Sequence, residues 1–117
     1  MIKSELLYID HIISAIVAIE SFVKGYSDSD FSKDKMRYDA ILHNLQTMAE
    51  STQRLSEKTK TKYSHIAWRD ISGFRNILVH EYLEGIDPEI IWSIITNELS
   101  ILKEAMLIEA NQCKQKE

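Results

Sequence analysis

The sequence predicts an all-α protein, an antiparallel four-helix bundle occupying residues 1–117 as one domain. Apolar residues recur at three-and-four spacing in four successive stretches, the signature of helices with one buried face. With only three glycines and one proline, the chain lacks the turn signals that sandwiches and barrels need every 8–12 residues or so. At 117 residues it can enclose one hydrophobic core but not two, and 44% hydrophobic content is too apolar for a disordered chain.

The first helix is carried by Leu6, Ile9, Ile12, Ile13, Ile16 and Ile19, with Leu7, Val17 and Val23 widening the band into an unusually broad buried stripe. Gly25 and the polar run from Tyr26 to Asp30 end it. Ser32 is placed to cap a second helix, whose face is Tyr38, Ile41, Leu42, Leu45, Met48, Ala49, Thr52 and Leu55 and which runs out in the polar cluster Ser56–Lys62. A third, shorter helix capped by Ser64 runs from Ile66 to about Tyr82, bounded by Gly85. Asp87 followed by Pro88 combines a capping carboxylate with a proline at the first helical position. It opens a fourth helix through Ile91, Ile94, Ile95, Leu99, Leu102 and Met106. Short connections make neighbouring helices antiparallel.

Several function classes drop out on composition. The longest apolar stretch, Ile12–Ile19, is eight residues interrupted by Ser14, far short of a bilayer span. Glu5, Asp10 and His11 spoil a signal peptide, so the expectation is a cytoplasmic protein with no membrane partner. Cys113, the single cysteine, has no partner for an intramolecular disulfide and no companion for zinc, and reads as a thiol on a fraying helix end. No metal or cofactor site is expected: His11, His43 and His65 share no ligand pattern, and Asp39 with His43 is half a site.

The net charge of −4 is unevenly spread. From Arg54 to Arg75 there are six basic residues (Arg54, Lys58, Lys60, Lys62, Arg69, Arg75) against two acidic ones (Glu57, Asp70), leaving 8 basic against 16 acidic elsewhere. A lysine run in a connector is commonly just solvated, so this is weak support for a polyanionic partner.

The third helix is the informative one. Its apolar stripe, Ile71, Phe74 and Leu78, faces a core, while Arg69, Ser72, Gly73, Asn76 and His80 share another stripe roughly opposite. Solvated faces normally carry Lys and Glu, so a stripe of this composition points to a use. Gly73 costs about 1 kcal/mol relative to Ala inside a helix, which suggests that another backbone, such as a second copy of this helix, approaches there.

The run Trp68-Arg69-Asp70-Ile71-Ser72-Gly73-Phe74-Arg75-Asn76-Ile77-Leu78-Val79-His80-Glu81-Tyr82 resembles the signature region of HEPN-domain proteins of the HepT type. These are ribonuclease toxins paired with minimal nucleotidyltransferase (MNT) antitoxins. Their pattern of Arg, four residues, His, one residue, Tyr is met by Arg75, His80 and Tyr82, and the similarity continues through Gly85-Ile86-Asp87 and Ile91-Trp92. Where the family tends to show Gly-Glu in the second helix this chain has Ala49-Glu50, a departure that keeps the acid. The resemblance implies a metal-independent endoribonuclease toxin with its cleft at a homodimer interface, and Tyr82 as acceptor of AMP from the antitoxin, which switches the toxin off.

The residue types suit that chemistry on their own terms. Metal-free RNA cleavage needs a base near neutrality for the 2′-hydroxyl, a fixed cation for the phosphate and an acid for the departing 5′-oxygen. Imidazole, as in His80, titrates near 6.5 in model peptides, and a guanidinium, as in Arg75, stays protonated and offers a planar fork of donors. Asn76, one turn before His80, could orient either the imidazole or the phosphate. Residues five apart lie about 140° apart around a helix, so either the helix is distorted before His80 or side chains converge from two protomers. Trp68 and Trp92 read as core or interface anchors. The alternative function is a noncatalytic helical subunit that holds a nucleotidyltransferase or its substrate; the intact Arg75, His80 and Tyr82 triplet favours the enzyme.

Overall fold

In the computed structural model, residues 2–27, 30–31, 33–81 and 83–115 are described. Six helices lie among them: α1 (Ile2–Val23), α2 (Lys35–Thr52), α3 (Glu57–Lys62), α4 (Trp68–His80), α5 (Pro88–Asn97) and α6 (Leu99–Gln115). The fold is all-helical, and its frame is a bundle in which α1 packs on α2 and α6, and α2 also packs on α4. The prediction of four helices is corrected in two places, by the short α3 and by the division of the last helix.

At the centre is the isoleucine stripe of α1. Ile9, Ile12, Ile16 and Ile19 are completely buried, and each such side chain contributes roughly 1.5–3 kcal/mol relative to exposure. The stripe is narrower than expected, since Leu7 and Val17 are exposed; α2 and α6 cover one side of α1 and leave these two outside it. By length and composition alone, Glu5–Val23 is apolar enough to cross a bilayer, which an eight-residue count does not reveal. Here its buried stripe forms the core. Gly25, at φ +81°, turns the chain out of α1 in a conformation that costs glycine little.

Two contacts show that α1 and α2 run antiparallel. Arg37 Nη1, at the start of α2, donates to the Phe22 carbonyl at the end of α1 (3.0 Å), and at the other end the Ser56 amide donates to Glu5 Oε1 (2.8 Å). Lys103, early in α6, pairs with Glu20, late in α1 (2.8 Å), so α6 is antiparallel to α1 as well. The cap of α2 is Asp34, which accepts from the Arg37 amide; Ser32, expected in that role, lies outside the described residues.

The segment 56–62, expected to be the frayed end of the second helix, is an independent turn. Ser56 Oγ accepts from the Thr59 amide (3.1 Å) as its cap, and Thr59 is buried. A six-residue helix is too short to hold itself together in water, and neighbours hold this one. Trp68 Nε1 donates to the carbonyls of Lys60 (3.0 Å) and Tyr63 (3.2 Å), and Tyr63 Oη donates to Glu109 Oε1 on α6 (2.9 Å). That bracing delays α4 to Trp68, where Ile66 and a Ser64 cap were expected, and Ala67 precedes it without a side-chain cap. The helix ends at His80, two residues before Tyr82.

Asp87 and Pro88 open α5 as predicted, with Asp87 Oδ1 accepting from the Glu89 amide (2.9 Å). The expected continuous fourth helix is interrupted at Glu98 (φ −110°). Just before it, Thr96 Oγ1 donates back to the Trp92 carbonyl (2.9 Å), the kind of bond that bends helices. Cys113, expected on a fraying end, is buried instead.

Tyr63 gives this packing a pH signature. Burial and the hydrogen bond to Glu109 push its phenol up to about 12, above the value near 10 of an unfolded chain. A pKa raised on folding stabilises the fold fully below the unfolded value, and that stabilisation is lost as pH climbs through the folded value. Chemical denaturation should therefore show stability falling between about pH 10 and pH 12, and Tyr63→Phe should flatten much of that fall.

Candidate functional site

The register of α4 is set by its buried side chains. Phe74 and Leu78 are 7% and 3% exposed, and their burial turns Gly73, Asn76 and His80 outward. The polar stripe expected from the sequence is thus a surface of the chain: Arg69, Gly73, Asn76 and His80 are exposed and Ser72 is half-buried.

Arg75 lies on the flank of α4 that meets α2. Its Nη2 pairs with Glu50 Oε2 at 3.2 Å, its Nη1 is 3.4 Å from Asn76 Oδ1, and its Nε is enclosed without a hydrogen-bond partner among the described residues. The guanidinium is thereby held from one side while remaining 29% exposed. His80 stands in the last turn of α4, with no hydrogen bond or ion pair to Arg75 among the described residues. Arg75 and Asn76 are brought together and His80 is not. Tyr82 lies outside the described residues.

The α-helix is continuous from Trp68 through His80. Of the two ways in which Arg75 and His80 could converge, a distortion before His80 is therefore not realised in this chain. Gly73 adds to this: a Cβ built on it would meet nothing within 4 Å, so no contact among the described residues requires a glycine there.

Glu50 is the site residue that pattern reading did not assign. Its only signal was the acidic half of the Ala49-Glu50 pair, because a partner 25 positions away along the sequence cannot be inferred from helical periodicity. Trp68 and Trp92, expected as anchors, are both half-buried; Trp68 binds α3 and Trp92 packs 5.0 Å from the Phe31 ring.

Two clefts border α4. One of about 430 Å³ has a largely apolar lining that includes Met48, Ile71, Phe74, Ile94 and Leu102. A second, about 360 Å³, lies between Asp39, His43 and Gln46 of α2 and Leu78 and Val79 of α4, next to His80 in the chain. No group of three or more His, Cys, Asp or Glu side chains among the described residues is arranged to hold a metal.

Comparison with known proteins gives this geometry a context. The chain is 30% identical over 107 residues to the Methanocaldococcus jannaschii protein named "Gamma-glutamylcyclotransferase and putative RNase MJ0434", covering 92% of this chain and 48% of that one, so it spans about half the length of that relative. It is 33% identical to "Putative RNase TTE0752" of Caldanaerobacter subterraneus subsp. tengcongensis, over 82% of this chain and 85% of the relative. It is 28% identical to "Probable ribonuclease HepT" of Thermococcus cleftensis, over 88% and 93%. No solved structure matches the chain. The family model described as ribonuclease HepT-like matches residues 12–107, which contain all of α2 to α5, and the chain belongs to that family.

Proposed function

We propose that this protein is a metal-independent endoribonuclease, the toxin of a toxin–antitoxin pair, working as a homodimer whose cleft is built by two copies of α4. The observation that carries the reading is the Arg75, Asn76 and His80 set on a continuous helix whose outer face, with Gly73 open, is exposed among the described residues. Membership of the HepT-like ribonuclease family supports the reaction class.

In this reading His80 takes the proton of the RNA 2′-hydroxyl and the freed oxygen attacks the adjacent phosphorus. The bond from phosphorus to the 5′-oxygen breaks, the leaving oxygen takes a proton from solvent water, and the products are a 2′,3′-cyclic phosphate and a 5′-hydroxyl. Arg75 neutralises charge on the phosphate oxygens as it develops. Glu50 holds the guanidinium from behind, and Asn76 steadies its neighbouring nitrogen. A second copy crossing near Gly73 supplies the convergence that about 140° of rotation denies to one helix.

Regulation follows from the position of Tyr82, two residues past the end of α4. The proposed antitoxin, a minimal nucleotidyltransferase, attaches AMP to its phenol. One added negative charge at about 6 Å, with an effective dielectric near 20, repels an RNA phosphate by roughly 3 kcal/mol before salt screening. The adenosine adds bulk in the same place.

Cleavage of RNA by the purified protein should persist in EDTA. His80→Ala and Arg75→Ala should each lower it at least about a hundredfold while leaving helicity unchanged by circular dichroism. A variant cutting at the wild-type rate would remove its residue from the mechanism. A wild type that cuts no RNA yet binds the nucleotidyltransferase would establish the noncatalytic subunit instead.

Co-expression with the nucleotidyltransferase should add AMP to Tyr82, read by intact mass and peptide mapping, and Tyr82→Phe should stay toxic beside the antitoxin. Full neutralisation of an active Tyr82→Phe protein would mean inhibition by binding alone.

A further inference from the structure

The positive charge of the 54–75 segment is distributed unequally between paired and unpaired cations. At the α1–α2 turn every described base from Lys33 to Arg37 has a carboxylate: Lys33 with Asp30, Lys35 with Asp39, Arg37 with Asp34. At the opposite end of the bundle, Lys62 pairs with Glu109. Arg54, Lys58, Lys60 and Arg69 pair with no carboxylate among the described residues, and Arg54 lies only over the Tyr8 ring, at 5.9 Å. Apart from Lys24 and Lys114, which also pair with no carboxylate among the described residues, the uncompensated described cations gather on α3 and its borders.

That surface is also braced. Ser56 caps α3, Glu5 accepts the Ser56 amide, the Trp68 indole binds the carbonyls of Lys60 and Tyr63, and Tyr63 is tied to Glu109. A connector that was merely solvated would not need four ties to three other helices. With Thr59 and Tyr63 turned inward, Lys58 and Lys60 flank Thr59 at about 100° on either side, so that α3 forms a ridge with a cation on each slope. Arg69 follows Trp68 directly and begins the exposed stripe that continues through Gly73 and Asn76 to His80. From Arg69 to Arg75 is about 9 Å along the helix axis.

We infer that α3 and the first turn of α4 form a phosphate-binding platform, on which Lys58, Lys60 and Arg69 grip single-stranded RNA beyond the scissile phosphate. This rests on the ribonuclease reading for the identity of the polyanion. The platform fixes the strand without touching the reacting atoms, so it governs affinity rather than the chemical step. Its cations reach backbone phosphates and carry no base preference.

The test uses full-length protein carrying His80→Ala, to prevent cleavage, and a fluorescein-labelled mixed-sequence RNA 20-mer titrated at several salt concentrations. Each phosphate contact on a single strand contributes about 0.7 to the slope of log binding constant against log salt, so adding Lys58→Gln, Lys60→Gln and Arg69→Gln should lower the slope by about 2. At low salt the triple variant should bind at least tenfold more weakly. Lys33→Gln with Lys35→Gln, at the other end of the bundle, should leave binding unchanged, and thermal unfolding should show all proteins folded.

Unchanged affinity and slope in the triple variant, while His80-dependent cleavage by the otherwise native protein persists, would overturn the platform and leave the ribonuclease reading standing. Weakened binding in the triple variant of a protein that never cuts RNA would overturn the ribonuclease reading and keep the platform. Tighter binding of the same surface to phosphatidylserine vesicles than to RNA would overturn the assignment to RNA.

Discussion

The rotation of α4 about its own axis is the constraint on which the candidate site depends, and two side chains fix it. Phe74 and Leu78 are committed to the core; turning the helix would expose both, at roughly 1.5–3 kcal/mol each. With the rotation fixed, Arg75 falls on the flank against Glu50, and Asn76 and His80 face outward. The helical repeat sets the pair about 140° apart and core packing fixes the direction each takes, so in the proposed reading a second chain supplies the convergence on one phosphate.

The same logic explains why α3 exists. Its sequence, Glu-Lys-Thr-Lys-Thr-Lys, has no apolar stripe, and its six residues form a turn because Ser56 caps it and Trp68, Tyr63 and Glu5 hold it. Those ties keep its lysines in register with the start of α4. A half-exposed ion pair such as Arg75 with Glu50 adds little to stability, about 0–1 kcal/mol. Its consequence is positional, in that it leaves the guanidinium few orientations.

Elements with a marked apolar face were legible in the sequence. The stripe of α1, the face of α2, the Asp87-Pro88 start and the Phe74–Leu78 anchor all reduce to periodicity and capping. Elements made by tertiary contact were not. Nothing local distinguishes Ser56–Lys62 from a polar connector, because the indole that holds it arrives from the next helix. The break at Glu98 escapes as well, since Ile91, Ile95, Leu99, Leu102 and Met106 keep their spacing across it and no Gly or Pro marks it. Leu7 and Val17 extend the α1 stripe in one dimension and are left uncovered in three. At the candidate site, Arg75, Asn76, His80 and Tyr82 were singled out by pattern. The Glu50 contact was hidden, because pairing between helices follows from their packing and not from either helix alone.

The central claim is that the reacting groups come from two chains, and complementation between dead variants tests it most directly. Arg75→Ala and His80→Ala proteins are each inactive in this account, but a mixed dimer holds one cleft with Arg75 from one chain and His80 from the other. Unfolding the two together in equal amounts and refolding them should restore about a quarter of wild-type RNA cleavage, since half of the dimers are mixed and each keeps one of its two Arg75–His80 pairs. If the refolded mixture stays as inactive as its components while wild type treated identically cuts RNA, both groups act within one chain and the composite site is wrong.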